Sequence, residues 1–147
     1  GRTKMSEVNQ LDLFDVKDLA IKKLRSGEHD IIVPENVVSK VTSAFNILIE
    51  ANSKENLGTD NGLQCNNEYA CHFLVGESGS VYFILQIVTS YCAIEFGSGK
   101  NFMYELMKTA DDVIIDSEFR KAGDGYEEDG YLTGINLCYV VEGKNHE

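Results

Sequence analysis

The stretch YACHFLVGESGSVYFILQIVTSYCAIEF, residues 69–96, decides the fold. Tyr69, Cys71 and Phe73 alternate with the residues between them, and a period of two is that of a β-strand. The segment GESG, residues 76–79, has the composition of a turn, and residues 81–96 are rich in aromatic and β-branched side chains. Two strands around a short glycine-flanked loop predict a hairpin, which forces antiparallel pairing. The second run is long enough to hold a bend, a bulge or two strands.

Two helices are predicted ahead of this hairpin. The first covers residues 11–25, with Asp12 as the expected N-cap and Gly27 just past its end. Its apolar face recurs at three- and four-residue steps and consists of Leu13, Val16, Ala20 and Leu24. The second helix starts at Pro34 and runs to about Asn52. Its apolar face is the clearest periodic pattern in the chain and consists of Val37, Val41, Ala44, Phe45, Leu48 and Asn52.

The chain after the hairpin predicts one more helix and a closing strand. Residues 101–110 form a short amphipathic helix, residues 113–115 a short apolar strand, and residues 116–130 a polar segment. Residues 131–141 form the last strand. Helices segregated from hairpin-connected strands predict an α+β fold. We expect two N-terminal helices packed on a mostly antiparallel sheet, one further short helix and a C-terminal strand.

The length of 147 residues is that of one domain, which we place at residues 5–147, with residues 1–4 interpreted as a cloning remnant before Met5. The four cysteines have no motif spacing, and the sequence has neither a signal peptide nor an apolar run of membrane-spanning length. These features favour a cytoplasmic protein with reduced cysteines over an oxidised, secreted one.

The charge of the chain is strongly negative, because 24 carboxylates oppose 13 lysines and arginines and leave a net charge of −11. Such a surface repels phosphate backbones and anionic membranes, so we expect no nucleic-acid partner and no membrane partner. An acidic surface attracts a basic protein and speeds the encounter. The alternative is that the charge serves solubility alone.

Familiar chemical motifs fail at identifiable positions. The segment GSGK, residues 97–100, lacks the glycine and the hydroxyl of a phosphate-binding loop, since Ile94 and Asn101 occupy those positions, although a single anion at the following helix start stays open. Cys65 and Cys71 are too far apart for a zinc knuckle, and Tyr126 occupies a calcium-ligand position in the acidic run. We therefore predict no catalytic residue, no metal and no cofactor, and we expect that the protein is not an enzyme.

An acidic run with two flanking tyrosines is the candidate contact surface for a partner. Aromatic side chains beside carboxylates are typical of interfaces that engage arginine. The predicted partner-binding residues are Asp124, Tyr126, Glu127, Glu128, Asp129 and Tyr131. The negative stretch is extended toward them by Asp111, Asp112, Asp116 and Glu118.

Two segments of the chain carry a family resemblance. Residues 47–62, ILIEANSKENLGTDNG, continue a helix into a polar loop, and residues 91–99, YCAIEFGSG, end a strand with Glu-Phe-Gly. Their order and spacing resemble those of phage neck and tail-completion proteins. The resemblance implies a structural connector that assembles into rings or head to tail.

Three functions follow as hypotheses. The favoured one is an acidic inhibitor of the immunity or antitoxin type, which neutralises a basic partner such as a nuclease toxin by direct binding. The second is the phage connector. The third is an unrecognised small enzyme or ligand-binding domain with a pocket between the sheet and the helices.

Overall fold

The computed structural model describes residues 3–53, 67–90, 102–120, 123 and 130–143. Three α-helices and four β-strands occur in these residues, with a 3-10 turn at Glu28–Asp30 between the first two helices. In chain order they are α1 (Thr3–Arg25), α2 (Glu35–Ala51), β1 (Asn67–Val75), β2 (Val81–Ser90), α3 (Phe102–Lys108), β3 (Asp112–Arg120) and β4 (Gly130–Glu142).

The four strands form one sheet in the order β1-β2-β4-β3, and every neighbouring pair is antiparallel. Rows of paired residues cross the whole sheet, and one of them runs from His72 through Ile84 and Cys138 to Asp112. The predicted hairpin is confirmed as β1 and β2, with Val75 opposite Val81 across the turn. The α+β fold class is confirmed with its helices, antiparallel sheet and C-terminal strand.

The hydrophobic core lies between the helices and one face of the sheet. Alternate residues of β2 and β4 enter it, because successive side chains of a strand point to opposite faces. Leu85 and Leu137 face each other there with no exposed surface. The buried cluster consists of Leu13, Ala20, Leu24, Val37, Val38, Val41, Ala44, Phe45, Leu48, Val81, Phe83, Leu85, Ile87, Met103, Leu106, Ile135, Leu137, Tyr139 and Val141.

Helix α2 confirms the strongest periodic pattern of the sequence. Its predicted apolar face is buried from Val37 to Leu48, and Asn52 is the C-cap, where its side-chain amide donates to the carbonyl of Leu48 at 2.8 Å. Pro34, the predicted first residue, instead precedes the helix as its N-cap in an extended conformation, so the helix starts one residue later than predicted. Its carbonyl accepts the first helical bond from the amide of Val37 at 3.0 Å.

Helix α1 begins earlier than predicted. It starts at Thr3, and Asp12 lies inside it, so the prediction of Asp12 as the N-cap is wrong. The residues before Leu11 contain no proline, and their only glycine is the first residue, so nothing in the sequence stops the helix there. The end of the helix is as predicted, since Gly27 adopts a left-handed φ of 75° two residues after Arg25.

Strand β3 is longer than the three residues predicted for it. The polar segment at residues 116–130, for which no strand was predicted, begins as part of β3, because Asp116 to Arg120 pair with β4 from Gly134 to Gly130. Polar side chains are tolerated on the exposed face of an edge strand, which is paired along only one of its two edges. The closing strand was predicted within one residue at each end.

A hydrogen-bond relay fastens α3 to the sheet. The Thr109 hydroxyl, just after α3, donates to the carbonyl of Leu106 at 2.7 Å. Its one proton is thereby used, so the hydroxyl of the fully buried Tyr139 donates to Thr109 at 2.7 Å. Burial accordingly raises the pKa of Tyr139.

This relay predicts an asymmetry between two substitutions. Thr109→Val strands the Tyr139 hydroxyl in the core and is expected to lower the free energy of unfolding by ~1–3 kcal/mol. Tyr139→Phe removes both the hydroxyl and its need for a partner, and we expect ~1 kcal/mol or less. Urea unfolding followed by circular dichroism measures both. A double variant as unstable as the sum of the two single variants would contradict the relay.

Candidate functional site

The predicted contact residues fall mainly on the connection between β3 and β4. Asp124, Tyr126, Glu127, Glu128 and Asp129 lie outside the described residues. Tyr131 lies on β4, where its backbone is paired with Phe119 of β3. Tyr131, at the end of the predicted contact surface, therefore lies beside β3. This strand carries the acidic residues that were predicted to extend the surface.

The sheet face opposite the helices is the surface that this extension occupies, and we call it the open face. Its central residues Ile84 and Cys138 are buried, yet neither belongs to the core cluster between the sheet and the helices. The described open-face residues are Glu68, Ala70, His72, Leu74, Tyr82, Ile84, Gln86, Val88, Asp112, Ile114, Asp116, Glu118, Asn136, Cys138 and Val140.

Strand β3 gives the open face an acidic margin. Asp112, Asp116 and Glu118 are all exposed, and strand alternation sets their side chains on the same face. Ile114 stands in the same row and keeps 50% of its surface exposed. No lysine or arginine occurs between residues 112 and 118, so every charged side chain in this part of the strand is negative.

Asp111 does not share this surface, although the sequence pattern grouped it with the others. One of its carboxylate oxygens accepts from the Lys40 ammonium at 3.0 Å, and the other accepts from the Val140 amide at 2.8 Å. Partial desolvation acts to raise the pKa of Asp111, but the bonds from Val140 and Lys40 outweigh it and hold that pKa below its ordinary value. Asp111 therefore joins α2, β3 and β4 and has a structural role.

The open face also exposes apolar side chains. Leu74 and Val140 remain partly exposed in the row that ends at the β1–β2 turn. In the centre, the Gln86 amide donates to the Asn136 side-chain oxygen at 3.1 Å, and Asn136 donates to the carbonyl of Ile114 at 3.3 Å. Apolar surface next to satisfied polar groups and a charged margin is the arrangement found in protein interfaces.

The two described thiols are unsuited to nucleophilic chemistry. Desolvation raises the pKa of the Cys71 thiol to about 12, with Lys23 opposing the shift. Desolvation and the charge of Asp112 also raise the pKa of Cys138. Since the thiolate is the reactive form, both sulfurs are held protonated near neutral pH. As predicted, Cys71 lies toward the core and His72 is exposed on the opposite face.

Metal ligands are not brought together in the described part of the chain, where no three His, Cys, Asp or Glu side chains form a group able to hold an ion. Within the same residues, no helix has both the length and the apolar character that crossing a membrane requires.

The apolar part of this surface was not predicted from the sequence. Ile114 and Val140 were assigned to strands without a face, and Leu74 was placed only in the set that alternates with Cys71 and Phe73. A signal for Ile114 lay in the period of two, because Asp112, Asp116 and Glu118 fall on the same face as Ile114 when the strand is read beyond residue 115. The placement of Leu74 and Val140 on one face depends on which strands pair. No local pattern in the sequence indicates that pairing.

Comparison with protein-family models, with curated proteins and with solved structures gives no match for this chain.

Proposed function

We propose that this protein is an acidic inhibitor of the immunity or antitoxin type, which neutralises a basic protein partner by binding it with the open face. The observation that carries the proposal is the margin formed by Asp112, Asp116 and Glu118 beside exposed Ile114. The favoured partner is a basic protein such as a nuclease toxin, which can act only while its cationic surface is uncovered.

Electrostatics supports this choice of partner. The net charge of −11 attracts a basic protein from a distance, and clustered carboxylates orient it at close range. Asp112 and Asp116 are four residues apart, about 13 Å along a strand, so each can meet a separate cation. Ile114 between them supplies apolar surface that loses water when the partner binds.

An inhibitor needs no reactive group of its own, because covering the partner's surface is sufficient. The connection that bears Asp124, Glu127 and Asp129 follows β3 directly in the chain and returns into β4. We include these carboxylates in the proposed contact surface, as an extension of the β3 margin.

The test is affinity capture from a cell extract, followed by binding measurements on each purified partner. The informative variant replaces Asp112 and Asp116 with asparagine and Glu118 with glutamine. A matched control removes three carboxylates from exposed positions near the helices, with Asp15→Asn, Asp18→Asn and Glu28→Gln. Both triple variants have the same net charge, so they differ only in where the charge was lost.

We expect basic partners, and we expect the β3 variant to weaken their binding by about tenfold or more at about 50 mM salt, with a much smaller effect of the control. Acidic or neutral partners, or equal effects of the two variants, would overturn the proposal. Light scattering adds an independent check, since ring-like or head-to-tail self-assembly without a partner favours the connector alternative.

A further inference from the structure

We infer that the basic partner presents an amphipathic α-helix, which lies along β2 and β4 on the open face and passes close over Gly134. Its lysines or arginines reach the carboxylates on both margins of the sheet. This inference rests on the proposed function and specifies the form in which the partner is recognised. One row of paired residues across the sheet carries it, and the row consists of Glu68, Val88, Gly134 and Asp116.

Gly134 is a glycine that the fold itself does not require. It lies inside β4, a central strand, and its φ is not in the left-handed region. Its pairing with Val88 and Asp116 is regular, without a bulge. A Cβ at this position would meet no atom of the described residues within 4 Å. Glycine weakens the interior of a strand, and where no bulge explains it, it marks a place that another backbone or a ligand approaches closely.

The two ends of the row are spaced for a helix. Glu68 of β1 and Asp116 of β3 are both exposed on the open face. They are three strand spacings apart, about 14 Å. A helix with its side chains is about 10–12 Å wide, so one helix fills the space over β2 and β4 and leaves a carboxylate along each side. Cationic side chains that flank an apolar stripe would meet opposite charges on both margins, and that is the pattern of a basic amphipathic helix.

The central strands supply the surface under this helix. On the open face β4 runs from Val140 to Gly134 and β2 from Tyr82 to Val88, a length of about 20 Å that roughly 13 helical residues match. Val140 is exposed, and Val88 and Gly134 are partly exposed. Burial of this surface against apolar side chains would add affinity to that of the carboxylates.

One polar pair interrupts the apolar surface at its middle. The Gln86 amide donates to the Asn136 side-chain oxygen at 3.1 Å, and no described residue donates to the side-chain oxygen of Gln86. An amide oxygen that retains an acceptor position favours a hydroxyl or amide donor opposite it. The stripe of the partner's helix is therefore apolar at its ends and carries one polar side chain near its centre.

A second copy of this chain is a poor occupant of the open face. Packing of two such faces would crowd the acidic margins of both copies at one interface, where like charges are costly. Two chains of charge −11 also repel each other at long range. The face thus selects a cationic element from a different protein.

The probe is the synthetic peptide LAKLKQLSAKLKQKL, capped at both ends. As a helix it forms a leucine stripe with one central serine, and its lysines lie along both sides of the stripe. One control peptide, LAELEQLSAELEQEL, replaces each lysine with glutamate. The other, LAKLKPLSPKLKQKL, keeps every leucine and lysine and places two prolines on the back of the helix. Binding to the ¹⁵N-labelled full chain is followed by NMR titration at about 50 mM salt.

We expect saturable binding of the lysine peptide, with chemical shift changes concentrated in β2 and β4, and no saturable binding of either control peptide. Side chains at Gly134 are expected to weaken binding in proportion to their size, by about threefold for Gly134→Ala and about tenfold for Gly134→Val. Gly143→Val, the matched glycine substitution beyond the end of β4, is expected to leave binding unchanged.

Stability is expected to change in the opposite direction. Gly134→Ala places a methyl group in open space and reduces the freedom of the unfolded chain, so it is expected to raise the thermal unfolding midpoint of the free protein. A midpoint that rises while binding weakens is the combined result that a site of close approach predicts. Circular dichroism measures the midpoint.

Glu68→Gln separates a helix that reaches both margins from a partner that uses β3 alone. Glu68 is on β1, outside the carboxylates of the proposed function. Its substitution is expected to weaken peptide binding by about threefold, the size of an exposed ion pair. Glu77→Gln, at an exposed position in the β1–β2 turn, is the matched control and is expected to have no effect.

Absence of saturable binding, equal binding of the proline-bearing peptide, or undiminished binding to Gly134→Ala and Glu68→Gln would overturn the inferred helix. A destabilised Gly134→Ala chain would overturn it too, because the fold would then itself require the glycine. These outcomes are separable from failure of the proposed function. A captured basic protein that depends on the β3 carboxylates, while the peptide results are negative, removes only the helix inference. Loss of that dependence removes the proposed function.

Discussion

Phe45→Ala is expected to lower the free energy of unfolding by ~3–5 kcal/mol, the largest effect of any substitution considered for this chain. Phe45 has no exposed surface and lies on α2 within the cluster that joins both long helices to the sheet. Its removal loses the transfer free energy of the ring and leaves a cavity that close-packed neighbours fill only in part. Since domains are stable by about 5–15 kcal/mol, this variant is expected to be marginally folded.

Phe14→Ala is the matched control, because it makes the same chemical change on α1 at a side chain that is 60% exposed. We expect an effect within about 0.5 kcal/mol, as for other surface changes. Guanidinium unfolding followed by far-ultraviolet circular dichroism compares the two midpoints. Similar midpoints for both variants would contradict the position of the core between helices and sheet.

Asp111→Ala is expected to cost ~1.5–3 kcal/mol, since it leaves the Val140 amide and the Lys40 ammonium without their shared carboxylate. Asp116→Ala changes the same residue type at an exposed open-face position of β3 and is expected to have little effect on stability. Urea unfolding at neutral pH measures the difference. If both variants lose equal stability, the bonds of Asp111 do not fasten the strand.

The pH dependence of this effect has a defined sign. The pKa of Asp111 is lower in the folded chain than its ordinary value, so the folded state favours the ionised carboxylate. Its contribution is fully present above the unfolded pKa of about 3.9 and is lost as the pH falls through the lower, folded pKa. We therefore expect the stability gap between Asp111→Asn and the unaltered chain to close on acidification. A gap that widens toward low pH would contradict the assignment.

Local patterns carried most of the fold prediction. Helix α2 and the β1–β2 hairpin were predicted well because their periodicity and their turn are contained in a few adjacent residues. The order of the sheet was not predictable in the same way. β4 lies between β2 and β3, so its long pairing with β2 joins residues about fifty positions apart. No spacing in the sequence specifies that choice.

The candidate surface was predicted in part. Charge alone indicated the acidic stretch from residue 111 onward, but composition could not separate the carboxylate with a structural role from those on the open face. The structure pairs Asp111 with Lys40 and sets Asp112 and Asp116 on the open face. The side chains of β3 point alternately to the two faces of the sheet, and this separates the carboxylates. The length of β3 is set by its pairing with β4, which is tertiary information. The apolar neighbours of the carboxylates became visible for the same reason.

Amide hydrogen exchange, measured with and without the captured basic protein, tests the central claim most directly. If the partner binds the acidic margin of the open face, exchange slows in β3 over residues 112–118, while α1 over residues 13–25 keeps its free-state rates. Slower exchange confined to α1 or α2, with β3 unchanged, would contradict the account.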